Sequence, residues 1–209
     1  MPKISLKSRD FSPISDHFNT AEFFSKSSDA PSSHPFYSEL VDAAEYLRNH
    51  YGVPWRITST FRTEAEERSI LNRLHVPFFV DVHMMGQAFD SQPAQNSPAV
   101  MADLTREFLG AGPVYQHLRQ IGINGFGLYD TFIHLDVRTA KALHKDAFGM
   151  VAHWDSRRAP ATASPWGVAF AGQKKSAVHS LLKQNPTPTL KRSVLTLLRP
   201  PFGGTLLAV

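Results

Sequence analysis

Residues able to bind a divalent cation recur in this chain at spacings that set them apart. The segment His83-Met84-Met85-Gly86-Gln87-Ala88-Phe89-Asp90 holds an imidazole and a carboxylate seven residues apart around a glycine. Gly86 permits a turn between them. In an extended strand Ala88 shares the face of Asp90, and so small a side chain leaves room for an ion. A third donor comes from Phe132-Ile133-His134-Leu135-Asp136, where period-two alternation predicts His134 and Asp136 on one face and Ile133 and Leu135 in the core. Three nitrogen and oxygen ligands with water in the fourth position is the pattern of a catalytic zinc site; a structural site is closed by four protein ligands. The chain has no cysteine, which excludes disulfides and thiolate metal sites.

The elements that must position these residues can be read from periodicity and caps. Asn19 or Thr20 can cap a short helix carrying Ala21, Phe23 and Phe24, after an opening stretch that reads as loop. Segment 27–35 breaks the pattern. Leu40, Val41, Ala44 and Leu47 recur at helical spacing over 38–50, with Gly52 as the stop. Residues 54–61, with the β-formers Trp55, Ile57, Thr58 and Thr60, read as a strand. Thr63 with Glu66 forms a capping box for a helix expected to bury Ile70, Leu71 and Leu74. Ser97-Pro98 opens another helix through Val100, Leu104 and Phe108 to Gly110, and a short one follows over 113–120. Segments 125–129 and 131–138 are joined too tightly for a parallel crossover, which predicts a hairpin or one bent strand. The sum is α+β, with a mainly antiparallel sheet flanked by helices and the metal site on the sheet.

At 209 residues and 42% hydrophobic content, one buried domain plus extra sequence is expected. The boundary is placed after Trp154: residues 1–154 as the catalytic domain, 155–209 as a Pro-, Ala- and Ser-rich extension with two short basic amphipathic runs. The extension holds eight Lys or Arg against the single acid Asp155, a net +7 that leaves the first 154 residues at −3 of the overall +4. An anionic polymer or membrane surface is the partner such a tail suits, or it is merely solvated; nucleic acid is a weaker reading. No apolar run near the start is long enough for a signal-peptide core, and none elsewhere approaches a membrane span. Synthesis in the cytoplasm is the expectation.

These motifs resemble those of a known family. HMMGQAFD is similar to the HxxGxAxD motif of the M15 zinc peptidases, the D-alanyl-D-alanine carboxypeptidases and L-alanyl-D-glutamate endopeptidases of peptidoglycan, and FIHLDVR resembles their closing motif. HFNTAEFF looks like the family's amino-terminal helix, and VPWRITSTFR like the strand ending in its substrate-binding arginine. The likeness spans roughly residues 16–138, and four ordered motifs are more specific than one. It implies the M15 fold, shared with hedgehog-like domains, with His83, Asp90 and His134 as zinc ligands and Arg62 as the partner of a substrate carboxylate, a task its planar fork suits. The family usually has a serine where this chain has Asp81. Several branches carry the general base three residues before the last histidine, where this chain has Thr131. The remaining candidates are Asp136, on the face of His134, and Asp130 at the hairpin.

The chemistry implied is metal-assisted hydrolysis of a stem-peptide bond, with zinc acidifying water and polarising the carbonyl and Asp136 relaying the proton. The resemblance thus suggests a peptidoglycan hydrolase, D,D-carboxypeptidase or L,D-type endopeptidase, and is compatible with a phage or prophage lysin that acts on the wall after release or as part of a virus particle. A non-catalytic, zinc-stabilised cell-wall or protein-binding module of the same fold is the alternative. His17, His34, His50, His75, His117, His144 and His179 read as ordinary core or surface residues. His153, beside Trp154, is open between lining a cleft and packing.

Overall fold

The computed structural model describes residues 3–7, 10–95, 97–138, 144–146 and 149–157. The expectations for the basic extension beyond residue 157 fall outside these. Strand β1 (Lys3–Lys7) pairs antiparallel with β2 (Ser33–Tyr37), and helix α1 (Thr20–Phe23) lies between them in sequence. Neither strand was expected. Alternation in KISLK buries only Leu6, and SHPFY carries a proline, so both signals are faint.

Helix α2 (Ser38–Tyr51) buries Leu40, Val41, Ala44 and Leu47 and ends at Gly52 in the left-handed region, φ 62°. Strand β3 (Trp55–Ser59) leads to α3 (Glu64–Arg73), where Thr63 Oγ1 accepts the Glu66 amide as a cap. Of the three apolar residues expected to be buried by α3, only Leu71 is. Leu74 follows the last helical residue and is 45% exposed. After a 3-10 turn at His83–Met85 come β4 (Ala88–Pro93), α4 (Pro98–Leu109) and α5 (Pro113–Ile121). Ser97 caps α4 through the Val100 amide. Strands β5 (Gly125–Leu128) and β6 (Ile133–Asp136) form the expected hairpin. Two further strands, β7 (His144–Asp146) and β8 (Gly149–Asp155), complete the sheet.

The six-stranded sheet has the order β3-β4-β6-β5-β8-β7. All neighbours are antiparallel except β5 and β8, which run parallel. The fold is therefore α+β with a mixed sheet flanked by helices. One face is apolar: Ile57, Phe89, Ile133, Leu135, Phe126 and Val151 are all 2% exposed or less. Helices α2, α4 and α5 belong to the same buried cluster. His153 points to this side, with Nε2 2.8 Å from the Tyr115 hydroxyl and its ring near Phe126, so it packs and does not line the cleft. No helix among the described residues is long and apolar enough to cross a membrane.

Candidate metal centre

The opposite face of the sheet is set by strand register. Ser59 stands across from Asp90, Asp90 from His134, His134 from Gly127 and Gly127 from Trp154, so one transverse row crosses five strands. Gly127 is required in that row, because a Cβ there would run into the Trp154 indole. One row away Gly125 leaves the same kind of space for the Asp136 carboxylate. His83 reaches the row from the 3-10 turn, whose amide at His83 is held by Asp81 Oδ1 at 2.8 Å.

The three expected ligands converge. His83 Nε2 is 3.1 Å from His134 Nδ1 and 3.3 Å from Asp90 Oδ1, and His134 Nδ1 is 2.9 Å from Asp90 Oδ1. Ligands about 2.0–2.1 Å from one tetrahedral ion stand about 3.3 Å apart, so these separations fit a shared cation. The outward atoms agree. His83 Nδ1 faces the Thr60 carbonyl at 2.7 Å, which can only accept, so that nitrogen carries the hydrogen. His134 Nε2 faces Asp136 Oδ2 at 2.9 Å and donates likewise. The remaining lone pairs of both rings and Asp90 Oδ1 therefore meet at one point. Such a cluster calls for a positive charge, either a metal ion or a proton.

The candidate donors have their own support. Asp90 Oδ2 accepts from Arg62 Nη2 at 2.6 Å, while Arg62 Nη1 reaches Glu67 at 3.3 Å and its Nε donates to Ser59 Oγ at 3.0 Å. All three guanidinium nitrogens of Arg62 thus have protein acceptors, and the residue holds Asp90 in place. Burial opposes the Arg62 charge, but the Asp90, Asp81 and Glu67 carboxylates outweigh that and raise its pKa. Asp136 is fully buried, with Arg138 donating to both of its oxygens and His134 to one. This geometry orients His134 and leaves Asp136 no lone pair turned to the cavity. Asp130 is exposed in the β5–β6 turn, outside the cavity wall.

Charge follows from these contacts. Burial would raise Asp90 and Asp136, yet the two histidines beside Asp90 and the Arg138–His134 pair around Asp136 hold both carboxyls far below the usual range. Burial would lower His134, but hydrogen bonds to Asp136 and Asp90 push it up to about 9. In the metal-free protein His134 is therefore protonated at neutral pH.

A cavity of about 390 Å³ opens beside the donors. Ile70, Leu74, Phe79, Tyr129, Phe132 and Trp154 line it, with Arg62, Glu67, Asp81 and Arg138 adding charge. Glu67 was not foreseen, because a glutamate in a charged helical run reads as a solvated residue; it is 2% exposed and burial raises its pKa. Arg138 and Trp154 were missed as well. The Asp-x-Arg spacing at 136–138 puts both side chains on one strand face and could have shown the pair.

Fold and donor geometry together define an α+β protein whose sheet carries a cluster able to hold a metal ion. The family model described as Peptidase M15 matches residues 16–136, more than half of the chain, and the protein belongs to that family, whose peptidases depend on a metal ion. No curated protein and no solved structure gives a significant match.

Proposed function

We propose that this chain is a zinc-dependent hydrolase that cuts a peptide bond in the stem peptide of peptidoglycan. The observation that carries the proposal is the convergence of His83 Nε2, Asp90 Oδ1 and His134 Nδ1 beside an open cavity. Their nitrogen and oxygen chemistry suits zinc. When bound, the ion supplies a Lewis acid that polarises the scissile carbonyl and acidifies water.

The chain's own residues do the rest. Arg62 and Asp136 fix the ligands, and the aromatic and aliphatic walls hold the peptide and exclude bulk water. With Asp136 engaged by His134 and Arg138, the proton relay is drawn from the two acids bordering the cavity, Glu67 and Asp81, which makes the base a different residue from the one expected from the strand pattern. Arg138 is bound by Asp136 through Nε and Nη2, and its side chain is 25% exposed at the cavity. Arg62 also borders the cavity, but its side chain is only 14% exposed and each of its three nitrogens already donates to a protein acceptor, so Arg138 is the better placed to meet a substrate carboxylate. Release from the cytoplasm, or carriage on a virus particle, would bring the enzyme to the wall, and the basic extension suits an anionic wall polymer.

Digestion of purified peptidoglycan, with fragments identified by mass spectrometry, tests the proposal. Zinc-loaded protein should release muropeptides with one newly cut stem bond, a chelator should stop it, and added zinc should restore it. Tight wall binding without cleavage at full zinc occupancy would instead establish a non-catalytic binding module.

A further inference from the structure

Tyr129 follows β5 and opens the tight turn to β6. Its amide donates to the Phe132 carbonyl at 3.1 Å, and its ring stacks on Phe132 with centroids 4.1 Å apart and planes within 10°. The hydroxyl accepts the indole N–H of Trp154 at 3.1 Å, and Trp154 lies against His134 with ring centroids 4.9 Å apart. An indole N–H can only donate, so it occupies an oxygen lone pair and turns the hydroxyl proton away from itself. Among the described residues no protein group accepts that proton. The ring borders the same cavity as Asp90 and His134.

We infer that Tyr129 is a catalytic residue, donating a hydrogen bond to the oxyanion that forms on the scissile carbonyl when water attacks. The inference rests on the hydrolase reading above. As the new C–O bond forms, the carbonyl π electrons move onto oxygen, and a donor fixed in advance is worth most at that moment. Stacking on Phe132 and the bond from Trp154 provide that fixing, and Gly127 makes room for the indole. The phenol keeps its own proton. Burial raises its pKa, so it stays neutral through the working range. The proton of water passes to the cavity acid and then to the leaving amine as the C–N bond breaks, which consumes one water and needs no co-reactant.

The test is Tyr129→Phe, assayed on a defined stem peptide alongside zinc content and affinity for a phosphinate mimic of the tetrahedral species. Loss of one oxyanion donor should lower kcat about 10²- to 10³-fold, weaken the phosphinate by a similar factor, and leave KM and zinc content within about twofold. Trp154→Phe keeps the phenol but frees it to rotate, and a smaller fall in kcat is expected. Active wild-type protein with unimpaired Tyr129→Phe overturns this inference alone, as does a loss explained by missing zinc. A wild-type chain that cuts no peptide at full zinc occupancy overturns the hydrolase reading and this inference with it.

Discussion

Strand β6 serves both faces of the sheet with alternate residues. Ile133 and Leu135 are completely buried among apolar side chains, while His134 and Asp136, also buried, form a polar chain to Asp90 and Arg138. Burial is similar on the two sides, but its consequences differ. On the apolar face the gain scales with area removed from water and tolerates exchange between residues of similar shape. On the polar face every buried donor and acceptor needs a partner in place, so each residue constrains the next.

The difference can be broken most severely at His134. His134→Ala should abolish stoichiometric zinc binding and lower peptide hydrolysis at least about 10³-fold, with metal content measured by mass spectrometry; a fully loaded, fully active variant would refute the ligand assignment. Leu135→Ala, one residue away, should cost about 2–5 kcal/mol of stability in denaturant unfolding while leaving zinc affinity of the folded protein unchanged. Asp136→Asn keeps the shape but weakens the hold on His134, and an about 10- to 100-fold loss of zinc affinity is expected, with kcat per loaded site changing far less. If kcat collapses at full zinc occupancy instead, Asp136 is the base after all.

The smallest effect is one of pH. The folded-state pKa of His134, about 9, lies above its ordinary 6.5. The metal-free protein therefore gains stability from this group that is fully present below pH 6.5 and is lost as pH rises through about 9. Zinc must displace the same proton, so its affinity should climb by up to about tenfold per unit over that window. Thermal melts with and without zinc should move apart as pH rises from 6.5 to 9; parallel curves would show that no proton is exchanged at the site.

What was legible in the sequence followed from local rules. The three candidate donors stood out because the 83–90 and 132–136 patterns needed only strand alternation, and the register that places Asp90 opposite His134 agrees with it. Helices α2, α3 and α4 were readable through Gly52, Thr63 and Ser97, whose caps are formed as their side chains and dihedrals allow. What was not legible depends on long-range pairing. The neighbours of β8 are chosen by tertiary context, so neither its parallel register with β5 nor Trp154 over the metal row could be read locally. For Asp136, alternation gave the correct face but not the fact that the His134 ring lies between it and the cation site.

The most direct test is an equilibrium titration of metal-stripped protein with zinc. One site per chain is expected, absent in both His83→Ala and His134→Ala protein. Wild-type protein that binds no zinc, or variants that bind it undiminished, would contradict the account at its centre.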